Sequence, residues 1–310
     1  MSTTRIPRDQ LVYGFNAETP PVATIQPGDE VIFETYDTST GRIFEPDDVP
    51  KFVAVRDPKK VNPAAGPVYV EGAEPGDALA VDVLDITLTG VGFARALKNA
   101  GVLQDGIREF GVAMVRVEGG DLIFAEKLRF PARPMIGVIG TAPAEGTVYT
   151  AHPGPNGSNI DVNSIKRGAT VYLPVCVPGA LLAIGDIHAS MGEGEVCGTG
   201  VEIRGEATVR VRLLKGEAPR RIWLETPEDW ITTGQGESLD EAVRESVEEM
   251  TQLLMKRFAL DRTEAFLLVS ARGDVRIGQS ARIPGCDATT YVMFPKSVHR
   301  VEVALCEPKP

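Results

Sequence analysis

The chain has 310 residues, of which 43% are hydrophobic and 24% charged, and its formal net charge is -11. A chain of this length holds one large domain or two and buries enough surface to fold without disulfide staples. The acidic balance, with no basic stripe, argues against a nucleic-acid partner, whose affinity comes from Lys and Arg neutralising phosphates.

The N-terminal run MSTTRIPRDQLVYGF lacks the apolar core of a signal peptide. No segment reaches the ~20 apolar residues that a membrane span needs. The expectation is a cytoplasmic protein with no membrane partner. The cysteines Cys176, Cys197, Cys286 and Cys306 form no C-x-x-C pair and are expected to be buried, reduced thiols.

The 32 Gly and 23 Pro punctuate the chain as turns between short strands would. Thr24 to Thr35 carries a Pro-Gly-Asp turn followed by alternation of Val31 and Phe33 with Ile32 and Glu34. Val68 to Ile86 repeats the device around Gly76 and Asp77, and turn chemistry alone can produce the likeness. Further strands are expected at Ala113 to Val117, Ala169 to Val177, Leu181 to Ile184 and Ala207 to Leu214. Ser238 and Glu241 then form a capping box ahead of an apolar stripe of Leu239, Val243, Val247, Met250 and Leu254, which predicts a helix over 238–258. Ala265 to Ser270 and Thr289 to Phe294 read as closing strands around Gly273 and Asp274. The fold class is therefore mainly β, sandwich- or barrel-like. A body over 1–216 carries the site, and a smaller α+β portion with one long helix occupies 217–310. No strand–helix alternation of Rossmann type is visible.

The stretch from His152 to Ile203 is unlike the rest, because acidic and glycine-rich loops interrupt apolar strands there. Gly185-Asp186-Ile187-His188 ends one such run. On an extended backbone Asp186 and His188 share a face, and an imidazole beside a carboxylate suits zinc or a similar divalent ion. Glu193, Glu195 and Glu202 add carboxylates within one loop and the next strand. With only three histidines, His152, His188 and His299, any metal site is carboxylate-rich. No G-x-S-x-G elbow is present, so metal-assisted hydrolysis is the chemistry the inventory supports. Plainer readings exist for single residues: Asp161 in an Asx-turn, Glu202 paired with Arg204 or Arg210, Glu34 and Glu71 as edge-strand charges.

The run GATVYLPVCVPGALLAIGDIHASMGEGEVCGTGVEI resembles the signature region of the acetamidase/formamidase family, and Gly157-Ser158-Asn159-Ile160-Asp161 is similar to that family's Gly-Gly-Asn-x-Asp loop. Matching pieces occur in order along nearly the whole chain, from Gly28-Asp29 to Ser270–Ile277. The resemblance implies a β-dominated oligomer that hydrolyses short amides to a carboxylate and ammonia. It departs at Asn156, where many members carry His, and at Ser158, Met191 and Glu193, where Gly, Gln and Asp are frequent. These departures bear on the substrate.

On this reading Asp186 and His188 hold a divalent metal, expected to be zinc, with Glu202 or Asp161 completing the set. Glu193 is the first candidate for general acid/base, with Glu195 its competitor on the same face, and Asn159 donates to the oxyanion. Two alternatives stand beside it: hydrolysis of a cyclic amide, carbamate or ureido compound, and a non-catalytic β-protein binding a small polar ligand.

Overall fold

A computed structural model describes residues 2–301, apart from 58, 99, 108 and 282–285; Cys306 lies outside the described residues. Strands make up 42% of the chain and helices 13%, so the β-dominated expectation holds. Nearly all described strands join a single 19-stranded sheet that curls over one core.

Two long strands organise it. Ala78–Ala96 and Glu202–Leu214 pair antiparallel from Phe93 opposite Glu202 to Ala78 opposite Leu214. On its other side Glu202–Leu214 pairs with Glu30–Thr35. Its alternation shows which face is which. Ala207, Val209 and Val211 are fully buried in the core, while Arg210 and Arg212 reach outward to Glu30 and Asp82 at 2.7 Å each. The two Pro-Gly-Asp turns are built alike. Gly28 and Gly76 adopt φ of 96° and 98°, and Asp29 and Asp77 each accept a hydrogen bond from the backbone N–H three residues earlier.

The strand Leu182–His188 is buried along its whole length. It pairs with Met135–Gly140 on one side, with Ala64–Val70 on the other, and with Glu202 through His188 at its end. A strand covered on both faces reads as a continuous apolar run, so the Asp and His at its end stand out.

The C-terminal portion joins the same sheet. Trp223–Glu225 pairs with Thr170–Pro174 and with Asp229–Gly236, which pairs in turn with Ala288–Pro295. The latter also pairs with Asp274–Gln279. Helix α2, Leu239–Phe258, starts at the Ser238–Glu241 capping box and packs Met250 and Leu254 against Trp230, Val292 and Phe294. Gly234 permits this approach, because a Cβ there would stand 2.2 Å from the Ala242 carbonyl oxygen.

Two helices depart from the expectations. Ala265 to Ser270 is not a strand but part of α3, Arg262–Arg272, which has its own capping box at Asp261 and Glu264. A short apolar run has no decisive period, and the cap settles it. Helix α1, Asp48–Val55, lies inside the body with Pro50 in its first turn, where no donor is lost. No helix among the described residues is long and apolar enough to cross a membrane. Cys176, Cys197 and Cys286 are free thiols, half-buried rather than buried.

Candidate active site

Strand ends and the loops beside them deliver five titratable groups to one buried point. His188 and Glu202 are register partners on adjacent strands, and His188 Nε2 lies 3.4 Å from Glu202 Oε1 and 3.7 Å from Asp186 Oδ1. Asp161, Asp186 and His188 offer ligand atoms within 4.8 Å of one another, as do His188, Glu195 and Glu202. All five residues are buried, His188 completely. Glu202 therefore faces His188; Arg204 and Arg210 approach Asp37 and Glu30 instead. Glu34 is occupied by Arg5 at 2.8 Å.

The backbone is bent to achieve this. Asp161, Asp186 and Glu195 have φ of 49°, 53° and 39°, in the left-handed region that non-glycine residues enter at a cost. The expectation of an extended Asp186 is thus corrected: a left-handed residue, not simple alternation, sets its carboxylate beside His188. Glycines line the floor. A Cβ on Gly137 would stand 2.5 Å from Asp161 Oδ1, and one on Gly200 2.7 Å from His188 Nδ1.

The loop 192–195 separates its two glutamates. Gly194 has φ of 89°, and its N–H and carbonyl bond Ile277 and Ser280. Beyond that turn Glu195 points inward, whereas Glu193 is exposed and engaged by the Tyr291 hydroxyl and by Arg276 Nη1 at 3.7 Å. The two do not share a face as expected, because alternation fails where the chain turns.

Four residues without a motif complete the surroundings. Gln279, from the Asp274–Gln279 strand, is buried, and its Nε2 donates to Asp161 Oδ2 at 3.0 Å and Glu195 Oε2 at 2.9 Å. Its Oε1 accepts from Cys286 Sγ at 3.1 Å. Asn62 Nδ2 donates to Asp186 Oδ2 at 2.9 Å and to Asn159 Oδ1 at 3.1 Å, turning the Asn159 oxygen away from other duties. Arg95 is buried beside the cluster on the strand that carries Phe93. No sequence pattern announces these four; only pairing partners far along the chain bring them in. Among the family departures, Ser158 sits at φ of 76°, where glycine is unstrained, and its hydroxyl donates to the Tyr149 carbonyl. Asn156 Nδ2 donates to the Thr141 carbonyl at 2.5 Å.

Crowding sets the electrostatics. Burial raises the Asp161 and Glu202 carboxyls well above the usual range, with Glu195 adding to the first and Asp186 to the second, while His188 opposes both. Burial also raises Glu195, opposed by His188 and by the hydrogen bond from Gln279. Burial by itself would lower the His188 imidazole; Glu202 and Asp186 outweigh it and raise it well above its ordinary value. Burial, with Asp161 and Glu195 nearby, pushes the Cys286 thiol up to about 12, which leaves it a poor nucleophile. Both His188 nitrogens and one oxygen each of Asp161, Asp186 and Glu202 are buried without a hydrogen-bond partner among the described residues. Such atoms cost free energy unless another group satisfies them.

Known proteins are similar to this chain in sequence and fold over most of its length. The sequence profile of the Acetamidase/Formamidase family matches residues 3–152 and 144–300. The fold is similar to an acetamidase of Bacillus halodurans, with TM-score 0.88 and 37% identity over 94% of this chain and 97% of that one. A predicted acetamidase/formamidase of Thermoanaerobacter tengcongensis gives TM-score 0.89 and 37% identity over 95% and 96%. A formamidase of Methylophilus methylotrophus is 30% identical over 265 residues, which is 66% of this chain and 64% of that protein. The chain thus spans under two thirds of the length of that curated relative. With matches running in order from the first strand to the last and the fold shared throughout, the chain belongs to the acetamidase/formamidase family.

Proposed function

We propose that the chain hydrolyses a small linear amide, of the size of formamide or acetamide, to a carboxylate and ammonia at the Asp161–Asp186–His188–Glu195–Glu202 cluster. One observation carries this reading: five titratable groups from four segments converge in a buried site, with several polar atoms unpartnered among the described residues. Folding gains nothing from such an arrangement, so it marks chemistry. Family membership supplies the reaction class.

The donor set fits a divalent cation. One imidazole among carboxylates matches zinc, and the unpartnered nitrogens and oxygens are atoms an ion satisfies. We assign Asp186, His188 and Glu202 to hold it, with Asp161 completing the set. When bound, the cation supplies Lewis acidity toward a carbonyl and toward water.

The remaining steps belong to the side chains. Glu195 takes a proton from the attacking water and returns it to the leaving nitrogen, a task suited to a carboxyl whose pKa burial has raised. Glu193, held by Tyr291 and Arg276 on the outside, has no part in it. Asn159, with its oxygen held by Asn62, presents its amide N–H groups to the carbonyl oxygen. The 217–310 portion completes the site through Gln279. A cavity of about 330 Å³ lined by Gln279, Cys286 and the start of α2 offers a small polar molecule an approach. We further infer assembly as a homo-oligomer, at least a dimer, in a reducing cytoplasm that suits the free thiols.

Metal analysis of the purified protein, with ammonia release from formamide, acetamide and propionamide, tests the reading. A folded protein that holds no divalent cation and releases no ammonia from any of the three overturns it.

A further inference from the structure

Arg95 is a buried cation, two of whose guanidinium nitrogens have no hydrogen-bond partner among the described residues. It lies near the end of the Ala78–Ala96 strand, two residues beyond Phe93, which is the register partner of Glu202. Glu202 is in turn opposite His188. Alternation puts Arg95 on the same buried face as Phe93, one step further along, next to the row that holds the two site residues. Thr199 fixes its backbone from both directions: the Arg95 N–H donates to Thr199 Oγ1 at 3.1 Å, and that hydroxyl donates to the Arg95 carbonyl at 3.2 Å. The guanidinium stands 5.6 Å from the centre of the Phe52 ring of α1. Arg95 is 7% exposed, and its Nε and Nη1 are buried with no hydrogen-bond partner among the described residues.

A guanidinium does not shed its proton in a protein, so this charge persists in the buried site. Burial lowers its pKa, Arg56 works in the same direction, and the fields of Glu202, Asp186 and Glu195 support the charge. A field balances a charge but does not occupy its N–H groups. An unpartnered guanidinium N–H matches an oxygen that carries or develops negative charge, which a carboxylate or an oxyanion presents.

We propose that Arg95 is a catalytic residue that hydrogen-bonds the oxygens on the reacting carbon: the oxyanion as it forms, and the carboxylate product before it leaves. This rests on the amide-hydrolysis reading. In the first half-reaction the water oxygen bonds to the carbonyl carbon, the π pair moves onto the carbonyl oxygen, and the water proton goes to Glu195. In the second that pair collapses, the C–N bond breaks, and the Glu195 proton goes to the departing nitrogen. The acid formed ionises and its proton goes to ammonia, leaving a carboxylate and ammonium. Arg95 meets the negative charge at both stages, adding a charged donor to the neutral one of Asn159.

The test is acetate binding by calorimetry to the zinc-loaded protein, which needs no turnover. Arg95→Gln is expected to bind acetate about 10- to 100-fold more weakly with zinc content unchanged, the scale of a lost hydrogen bond to a charged group. Arg95→Lys, which keeps the charge but puts one compact ammonium in place of the directed guanidinium N–H groups, is expected to fall between. Unchanged acetate affinity in Arg95→Gln, or full affinity in Arg95→Lys, overturns the proposal and leaves Arg95 as a mere counter-charge. Should Arg95→Gln not fold, wild-type crystals soaked in acetate decide: a carboxylate oxygen on Arg95 Nε or Nη1 upholds the proposal, and acetate elsewhere overturns it. Ammonia release by the wild type separates the two readings, since an amidase whose acetate ignores Arg95 refutes only the second.

Discussion

Gln279 Nε2 joins Asp161 and Glu195, donating to one carboxylate at 3.0 Å and to the other at 2.9 Å. One amide from the C-terminal portion thereby fixes two acidic side chains of the body, and the Gly194 backbone bonds anchor the Glu195 loop to the same strand. Gln279→Leu removes both donors from buried oxygens. Loss of a hydrogen bond to a charged partner is worth about 1.5–3 kcal/mol, so turnover is expected to fall roughly 10- to 100-fold with the divalent-cation content unchanged. Steady-state kinetics beside metal analysis reads this, and an unaltered kcat would mean that Glu195 needs no such support.

The acid/base and ligand roles are separable. Glu195→Gln should lower turnover by about 10²–10⁴-fold with the cation retained, the scale of a lost general base. His188→Ala should lose both cation and activity. Glu193→Gln, outside the cluster, should stay close to wild type. A Glu193 variant as crippled as the Glu195 variant would reverse the assignment.

The metal-stripped protein should lose stability as pH rises. Asp161, Glu195 and Glu202 have folded-state pKa values raised above their unfolded ones, so the folded chain binds more protons above the ordinary carboxylate range near 4. Each group therefore penalises folding increasingly as pH climbs toward its folded value. His188 acts in the same direction, since its stabilisation is present below its unfolded pKa and is lost as pH rises through the raised folded one. A bound divalent cation should remove this slope, because it takes the place of the protons and binds more tightly at higher pH. Thermal melts of stripped and loaded protein between pH 5 and pH 8 measure it; parallel curves would contradict the cluster's role.

In the C-terminal portion, packing should outweigh capping. Met250 is fully buried against Trp230 and Phe294, so Met250→Ala is expected to cost about 2–5 kcal/mol. Ser238→Ala removes one cap bond at an exposed helix end and should cost about 1 kcal/mol. Urea titrations with equal slopes check the order.

Much of the molecule was legible residue by residue. The Ser238 box and its stripe marked α2 to within a residue of its observed start, because a cap and a 3.6-residue period are local signals. Asp186, His188 and Glu202 could be singled out because polar groups at the ends of apolar strands are conspicuous. Glu193 and Glu195 could not be told apart, since a left-handed pair at Gly194 and Glu195 reverses the face and leaves no trace in composition. Helix α3 differs: its EAFLLVS run suits a strand as well as a helix, but the Asp261–Glu264 box that decides it stands in the sequence.

By itself, then, the order of residues determined the β-rich character, the long helix, the family and the core of the candidate site, all of which follow from local periodicity or from a contiguous signature. Only the tertiary structure decided which carboxylates meet His188 and that Gln279, Asn62 and Arg95 join them. Those contacts depend on strand register and on a few left-handed residues. Register is a cooperative property of paired strands, and a shift of one residue would send every side chain to the opposite face.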